Sequence, residues 1–164
     1  MKSALKFIAF AFLTLAPLST YAQSNVAHIN VQQLISEMPE VIAAQNELAK
    51  LEKDYTTQID NAFKEFQTKA QSYSADAANQ TDVTNQARQK ELESMQTNLQ
   101  EFRDSAAQEL QKKQMDLMTP LLEKARNAIT KVGQEQGFNY VIDSSPNGGI
   151  ILADGKDLIE DVKR

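Results

Sequence analysis

Two long segments without glycine flank a short polar stretch near the middle of the chain, and this arrangement constrains the fold more than any other feature. The polar stretch covers residues 74–82, and no glycine occurs before Gly133. Short, apolar, β-rich segments lie only at the outer ends. This order of segments predicts a helical hairpin that projects from a small base formed by the two ends of the chain. Because such a hairpin buries little core of its own, its function depends on what it contacts.

Both long segments carry apolar residues at the alternating three- and four-residue spacing of a coiled coil. On the outgoing helix these seam residues are Leu48, Tyr55, Ile59, Ala62, Phe66 and Tyr73. On the returning helix they are Leu92, Met95, Leu99, Phe102 and Ala106. The seams thin toward the tip, near residues 74–83, so we expect the tip to be the most mobile part. Pro120 predicts a kink or a junction in the returning helix.

The ends of the chain predict a small β-rich head. Residues 26–30, 139–143 and 150–153 have the composition of short strands, and the turn signals of residues 146–149 join the last two. The predicted fold is therefore α+β, with a head built from residues 23–39 and 137–164 and a hairpin over residues 40–136. A base of this size usually needs disulfides, metal or oligomerisation. The chain has no cysteine, so we expect the head to oligomerise through its apolar strand residues. These are Val26, Ile29, Val141, Ile150 and Leu152.

The first 22 residues have the pattern of a cleaved secretory signal peptide. Lys2 and Lys6 precede an apolar run, and Ala22 ends a small-residue cleavage site. We therefore expect a soluble exported protein, without a lipid anchor because there is no cysteine to carry one. Without Lys2 and Lys6 the 17 basic residues fall to 15 against 22 acidic ones, a net charge of −7. This charge argues against nucleic acid as a partner.

No catalytic or metal-binding constellation is visible in the sequence. His28 is the only histidine, and neither a zinc site nor a catalytic triad can be built around it from this pattern. Asp154, Asp157 and Asp161 lack the spacing of an EF-hand loop, and helix capping explains them better. We therefore expect neither an enzyme nor a cofactor.

Several segments, taken in order, resemble the Skp/OmpH family of periplasmic chaperones. Residues 29–40 and 44–48 resemble the family's opening, residues 117–124 and 137–143 its return into the head, and residues 152–154 and 157–159 its closing strand and helix. No single motif is specific, but their order and spacing around a long hairpin are. One departure is charge: the best-known members are markedly basic, whereas residues 40–136 hold 16 acidic and 12 basic residues.

The resemblance implies a homotrimer in which three hairpins enclose a cavity and hold unfolded outer-membrane β-barrel proteins in the periplasm without ATP. Some aromatic and methionine side chains of the hairpin would then contact clients rather than only join the two helices. The candidates are Phe63, Phe66, Tyr73, Met95 and Phe102. The alternative is an exported structural coiled-coil adaptor or spacer whose tip binds one defined partner.

Overall fold

The computed structural model describes residues 25–164, and the predicted signal peptide lies outside them. Strand β1 (Val26–Ile29), helix α1 (Val31–Glu37) and helix α2 (Pro39–Asp76) come first. A 3-10 turn (Ala77–Asn79) leads into helix α3 (Asp82–Glu135), followed by β2 (Tyr140–Asp143), β3 (Lys156–Asp157) and α4 (Ile159–Val162). The described chain is thus mostly helical with three short strands, which is an α+β fold.

The two long helices begin and end where local chemistry allows it. Pro39 occupies the first turn of α2, where the missing N–H of proline has no helical partner to lose. The Thr81 hydroxyl caps α3 by accepting a hydrogen bond from the Thr84 N–H at 3.2 Å. Helix α3 continues through Pro120 without interruption. At about 1.5 Å per residue, the 38 residues of α2 extend about 57 Å and the 54 residues of α3 about 80 Å.

Helices α2 and α3 pack against each other in an antiparallel arrangement. The predicted seam residues are half-buried, except Leu99 and Ala106, which are buried at 9% and 3% exposure. Polar side chains join the helices at intervals on either side of this seam. From the head to the tip, these links are Glu40–Lys124, Glu47–Lys113, Tyr55–Glu109, Lys69–Glu91 and Asp76–Arg88. Along this series the residue numbers increase on α2 and decrease on α3, so the links define the antiparallel register of the two helices.

The head contains more of α3 than the sequence indicated. Because α3 is longer than α2 and pairs with Glu40 at Lys124, its last turns extend beyond the start of α2 into the head. Ala125 belongs there to a core with Ala27, Ile29, Leu34, Leu158 and Ile159. Gly133 lets β2 approach closely, since a Cβ at this position would lie 2.8 Å from Val141 Cγ2. The head therefore takes in α3 residues that the predicted boundaries of 40–136 assigned to the hairpin.

Strand β1 lies in the middle of a three-stranded parallel sheet, in the order β2-β1-β3. Asn30 directly follows β1 and caps α1, and its side chain accepts a hydrogen bond from the Gln33 N–H at 2.9 Å. The other free amides of α1 are bound from the end of β2: Asp143 Oδ1 accepts from Val31 and Ser145 Oγ from Gln32. Donation from the Ser145 hydroxyl lowers the pKa of Asp143. These bonds fasten α1 to both the first and the second strand.

The predicted strand over residues 150–153 is wrong. The turn before it does form, because Gly148 N–H donates to the Ser145 carbonyl at 2.7 Å and a Cβ at Gly148 would lie 2.6 Å from the Asp143 carbonyl oxygen. However, the chain then runs on without pairing and enters the sheet only at β3, on the far side of β1. The two expected strands are therefore not neighbours, and a tight hairpin between them is excluded.

Candidate functional site

Most of the aromatic candidates lie in the interface between α2 and α3. Phe102 is half-buried and meets Tyr55 edge-to-face, with ring centroids 6.0 Å apart. Met95 is half-buried on the same seam. Tyr73 is also half-buried, and its hydroxyl donates to Glu91 at 2.6 Å. As placed in this chain, these three residues contribute mainly to the packing of the hairpin.

Phe63 is different, because 40% of its surface is exposed. Its ring stacks on that of Phe66, with centroids 6.5 Å apart and an interplanar angle of 23°. Both rings border a surface pocket of about 440 Å³ between the helices, which we call the Phe63 pocket. Its other lining residues are Gln96, Thr97, Leu99, Gln100 and Arg103. Of the five aromatic and methionine candidates, Phe63 is the one that offers an apolar surface outside the seam.

The tip of the hairpin is held by polar contacts centred on Asp76. Its carboxylate accepts from Arg88 at 3.1 Å, from Gln80 at 2.7 Å and from Asn79 at 3.3 Å. The Arg88 guanidinium also lies 4.7 Å from the centre of the Tyr73 ring, within cation–π distance. The sequence had indicated only that apolar contacts thin out here; the structure adds a hydrogen-bonded cluster in their place.

Two carboxyl groups near the tip have lowered pKa values for related reasons. Hydrogen bonds from Arg88 and then Asn79 lower the pKa of Asp76. Hydrogen bonds from Lys69 and then Tyr73 lower the pKa of Glu91. In return, the Glu91 carboxylate raises the pKa of the Tyr73 hydroxyl. Both carboxyl groups are thus stabilised in their charged form.

Some of the apolar residues predicted for the head are exposed, but not all of them. Val26 and Ile150 are partly exposed, and Leu152 is 82% exposed. Ile29, by contrast, is 1% exposed and Val141 packs against the same core. Ile29 thus cannot meet a partner, because alternate residues of a strand point to opposite faces and Ile29 points inward.

Sequence reasoning missed part of this surface. Ile151 is fully exposed, Tyr140 is 63% exposed and Ile142 is partly exposed. Tyr140 and Ile142 pair with Val26 and His28 in register, so the four share the outer face of the sheet. The alternation of Tyr140, Val141 and Ile142 was visible in the sequence, but which set faced outward depended on the packing of β2 against α3.

His28 holds the two ends of the segment that carries Ile150, Ile151 and Leu152. Its Nδ1 lies 3.1 Å from the Ser144 hydroxyl, and its Nε2 lies 3.2 Å from the Gly155 carbonyl oxygen. Since a carbonyl only accepts, Nε2 donates and Nδ1 accepts from the hydroxyl in the neutral ring. The histidine thus has a structural place beside the apolar surface of the head.

Comparison with known proteins agrees with this architecture. A family model described as "Outer membrane protein (OmpH-like)" matches residues 25–164. The chain belongs to the OmpH-like family. It is also similar to the chaperone protein Skp of Yersinia enterocolitica, with 26% identity over 156 residues, covering 92% of this chain and 90% of that protein. The resemblance inferred from the sequence is confirmed, and the family match takes in both the head and the hairpin.

The hairpin and the head both expose apolar side chains that could contact other molecules. Across residues 25–164, no helix is long and apolar enough to cross a membrane. The same residues bring together no group of three or more side chains of the kind that hold a metal ion. Two exposed features make up the candidate site: the Phe63 pocket on the hairpin and the exposed apolar residues of the head.

Proposed function

We propose that this protein is an ATP-independent periplasmic holdase that binds unfolded outer-membrane β-barrel proteins and prevents their aggregation. The observation that carries the proposal is the OmpH-like family match across residues 25–164. The similarity to a protein named as a chaperone, over 92% of this chain, supports it. The predicted signal peptide of residues 1–22 supplies the route to the periplasm.

The hairpin suits weak and distributed binding. Large apolar side chains are exposed at several separate places along its two helices rather than in one patch. They include Ile42, Phe63, Val83, Met115 and Leu122. Methionine adapts to varied apolar partners, and phenylalanine offers a large apolar contact area. A client held by several weak contacts stays shielded from other unfolded chains, whose exposed strands would otherwise pair and aggregate.

The working unit in this proposal is a homotrimer joined through the head. Its support is the exposed apolar surface of Val26, Tyr140, Ile150, Ile151 and Leu152, since apolar surface of this kind marks an interaction site. Three hairpins projecting from one head would surround a common space. Each hairpin then contributes the same contacts from a different side, so many weak sites act together.

Assembly is tested by placing a charge among the exposed apolar residues of the head. Ile151→Asp should convert the trimer to a folded monomer, because burying an unpaired carboxylate in an interface is strongly unfavourable. Val83→Asp is the matched control, since Val83 is exposed at the other end of the molecule and should leave the trimer intact. Light scattering gives the mass and circular dichroism the helix content. A wild-type monomer at micromolar concentration would refute the trimer.

Holding is tested by shortening the hairpin in register. Deleting residues 60–73 together with residues 91–104 removes two heptads from each helix and keeps the links of Tyr55 and Asp76 to α3. The shortened protein should still form a trimer but should lose suppression of aggregation when unfolded β-barrel proteins are diluted from urea. Full protection by the shortened trimer would contradict the enclosed-space proposal.

The same assay separates the holdase from an adaptor. An adaptor with one partner would protect none of several unrelated unfolded barrels, whereas a holdase protects all of them at similar concentrations. The Asp76-centred cluster gives the adaptor alternative its own support, because it presents a defined polar surface at the tip. Substituting Asp76→Ala should leave a holdase active and should impair a tip-binding adaptor.

A further inference from the structure

One stretch of the hairpin lacks the polar links found on either side of it. The links Tyr55–Glu109 and Lys69–Glu91 bound this stretch, and between them, in the described chain, no hydrogen bond or ion pair joins α2 to α3. Apolar seam residues lie between the helices here, and Leu99, which is 9% exposed, lines the same pocket as Phe63 and Phe66. The Phe63 pocket opens at this point.

Arg103 supplies the one charge that lines this pocket. Four other basic residues on these helices, Lys69, Arg88, Lys113 and Lys124, each pair with a carboxylate of the opposite helix. Arg103 forms no ion pair within 4.0 Å in residues 25–164. The side chains of Gln96, Thr97 and Gln100 complete the polar rim. An exposed aromatic ring and an unpaired guanidinium therefore share one concavity, on a protein that is acidic overall.

We propose that the Phe63 pocket binds short polypeptide segments in which a large apolar or aromatic side chain lies next to a carboxylate. The volume of about 440 Å³ falls in the range of about 300–1,000 Å³ that ligand pockets occupy. The client's apolar side chain stacks on Phe63, and its carboxylate accepts a charge-assisted hydrogen bond from Arg103. This inference rests on the proposed function, since it names the part of an unfolded client that one site on the hairpin selects.

The experiment uses the full mature chain and short, dye-labelled, unstructured peptides of glycine and serine that differ only at two central positions. One peptide carries Phe-Asp, the second Phe-Asn and the third Ser-Asp. Fluorescence anisotropy should show Phe-Asp binding about two- to fivefold tighter than Phe-Asn, the worth of one partly exposed ion pair. The Ser-Asp peptide should bind most weakly, because the apolar contact provides most of the affinity.

Two substitutions assign the effect to named residues. Arg103→Gln should remove the preference for Phe-Asp over Phe-Asn, whereas Arg103→Lys should keep most of it because the charge remains. Phe63→Ala should weaken both phenylalanine peptides by about fivefold or more. Lys112→Gln is the matched control: it removes an exposed cation from the same helix and should change nothing. Circular dichroism of each variant verifies the helix content.

The proposal is overturned if wild type shows no preference for Phe-Asp, or if Arg103→Gln retains that preference. It is also overturned if Phe63→Ala alters the oligomeric mass and not peptide affinity, since the pocket would then be covered by a second copy of the chain. The aggregation assay keeps the two proposals apart. Protection of unfolded barrels without peptide preference refutes the pocket alone, and peptide preference without protection refutes the holdase alone.

Discussion

The head and the hairpin are held together in different ways. In the head, residues more than 100 positions apart in sequence pair through the sheet, and Ile29 and Leu158 are 1% and 0% exposed. Along the hairpin the seam is mostly half-buried, and exposed ion pairs join the helices at its edges. Burial of a large apolar side chain stabilises by about 1.5–3 kcal/mol, and surface ion pairs by much less. Stability is therefore concentrated at a few positions in the head and distributed over many in the hairpin.

The largest expected effect comes from replacing one leucine in each region and comparing the losses in the free energy of unfolding. Leu158→Ala should lower the free energy of unfolding by about 2–5 kcal/mol, because it leaves a cavity in a closed core. Leu92→Ala should cost clearly less, because Leu92 is only half-buried on the seam. Urea denaturation followed by circular dichroism measures both. Equal losses would mean that the hairpin is packed as tightly as the head.

A smaller effect is expected where the head meets α3. Gly133→Ala gains about 1 kcal/mol of helix propensity, but the new Cβ would lie 2.8 Å from Val141 Cγ2. Overpacking of this kind costs about 1–3 kcal/mol, so a net loss of about 1 kcal/mol should appear in the same denaturation experiment. Adding Val141→Ala should recover part of the loss that Gly133→Ala causes. A stabilised Gly133→Ala variant would show that the sheet can move away from the helix.

Acid should weaken the links of the hairpin. Lys124 lowers the pKa of Glu40, Lys69 that of Glu91 and Arg88 that of Asp76. A lowered pKa gives stability that is fully present above the ordinary values of 4.5 for Glu and 3.8 for Asp and is lost as pH falls through the folded value. The midpoint temperature of thermal unfolding should therefore decrease as the pH is lowered below about 4.5. Glu91→Gln should reduce this drop, and a midpoint independent of pH would contradict the role of the links.

Alkali should act with the opposite sign on the same links. The pKa of Lys69 is raised by Glu91, and that of Lys113 by Glu47. A raised pKa gives stability that is present below the ordinary value of 10.5 and is lost as pH rises through the folded value. The midpoint temperature of thermal unfolding should thus stay constant between neutral pH and about pH 10. A midpoint that falls within that window would point to a group outside these pairs.

The smallest expected effect is that of Tyr55→Phe. The change removes the hydrogen bond to Glu109 but keeps the edge-to-face contact with Phe102. If the apolar seam carries the hairpin, the denaturation midpoint should hardly move, whereas Phe102→Ala should lower it visibly. If Tyr55→Phe lowers the midpoint as much as Phe102→Ala does, the polar links contribute as much to the stability of the hairpin as the apolar seam.

Local signals were enough to predict the hairpin. The seam spacing depends on neighbouring residues, and the structure confirms it. Pro39 in the first turn of α2 and the Asn30 cap of α1 are local features of the same kind. The strand over residues 150–153 could not be judged in this way. Its composition suits a strand, but whether it pairs depends on which side of β1 the chain reaches, and β3 takes that position instead.

The candidate site was only partly visible in the sequence. Phe63 lies off the seam, so its exposure followed from helical periodicity. Arg103 could not be placed beside it, because the two residues lie on different helices and meet only through the register that the hairpin adopts. Likewise, Ile29 and Val141 looked equivalent to Val26 until packing of the sheet on α3 determined which face turned inward.

The central position of β1 dictates the order in which the chain can fold. β1 comes first among the described elements, yet its two neighbours are residues 140–143 and 156–157, near the other end of the sequence. The hairpin depends on contacts nearer in sequence and can form earlier, whereas the sheet forms only when segments more than 100 residues apart meet. A chain cut short before residue 156 would carry a hairpin but would lack one side of its sheet. The complete sheet therefore forms only in a chain that contains both its first and its last strand.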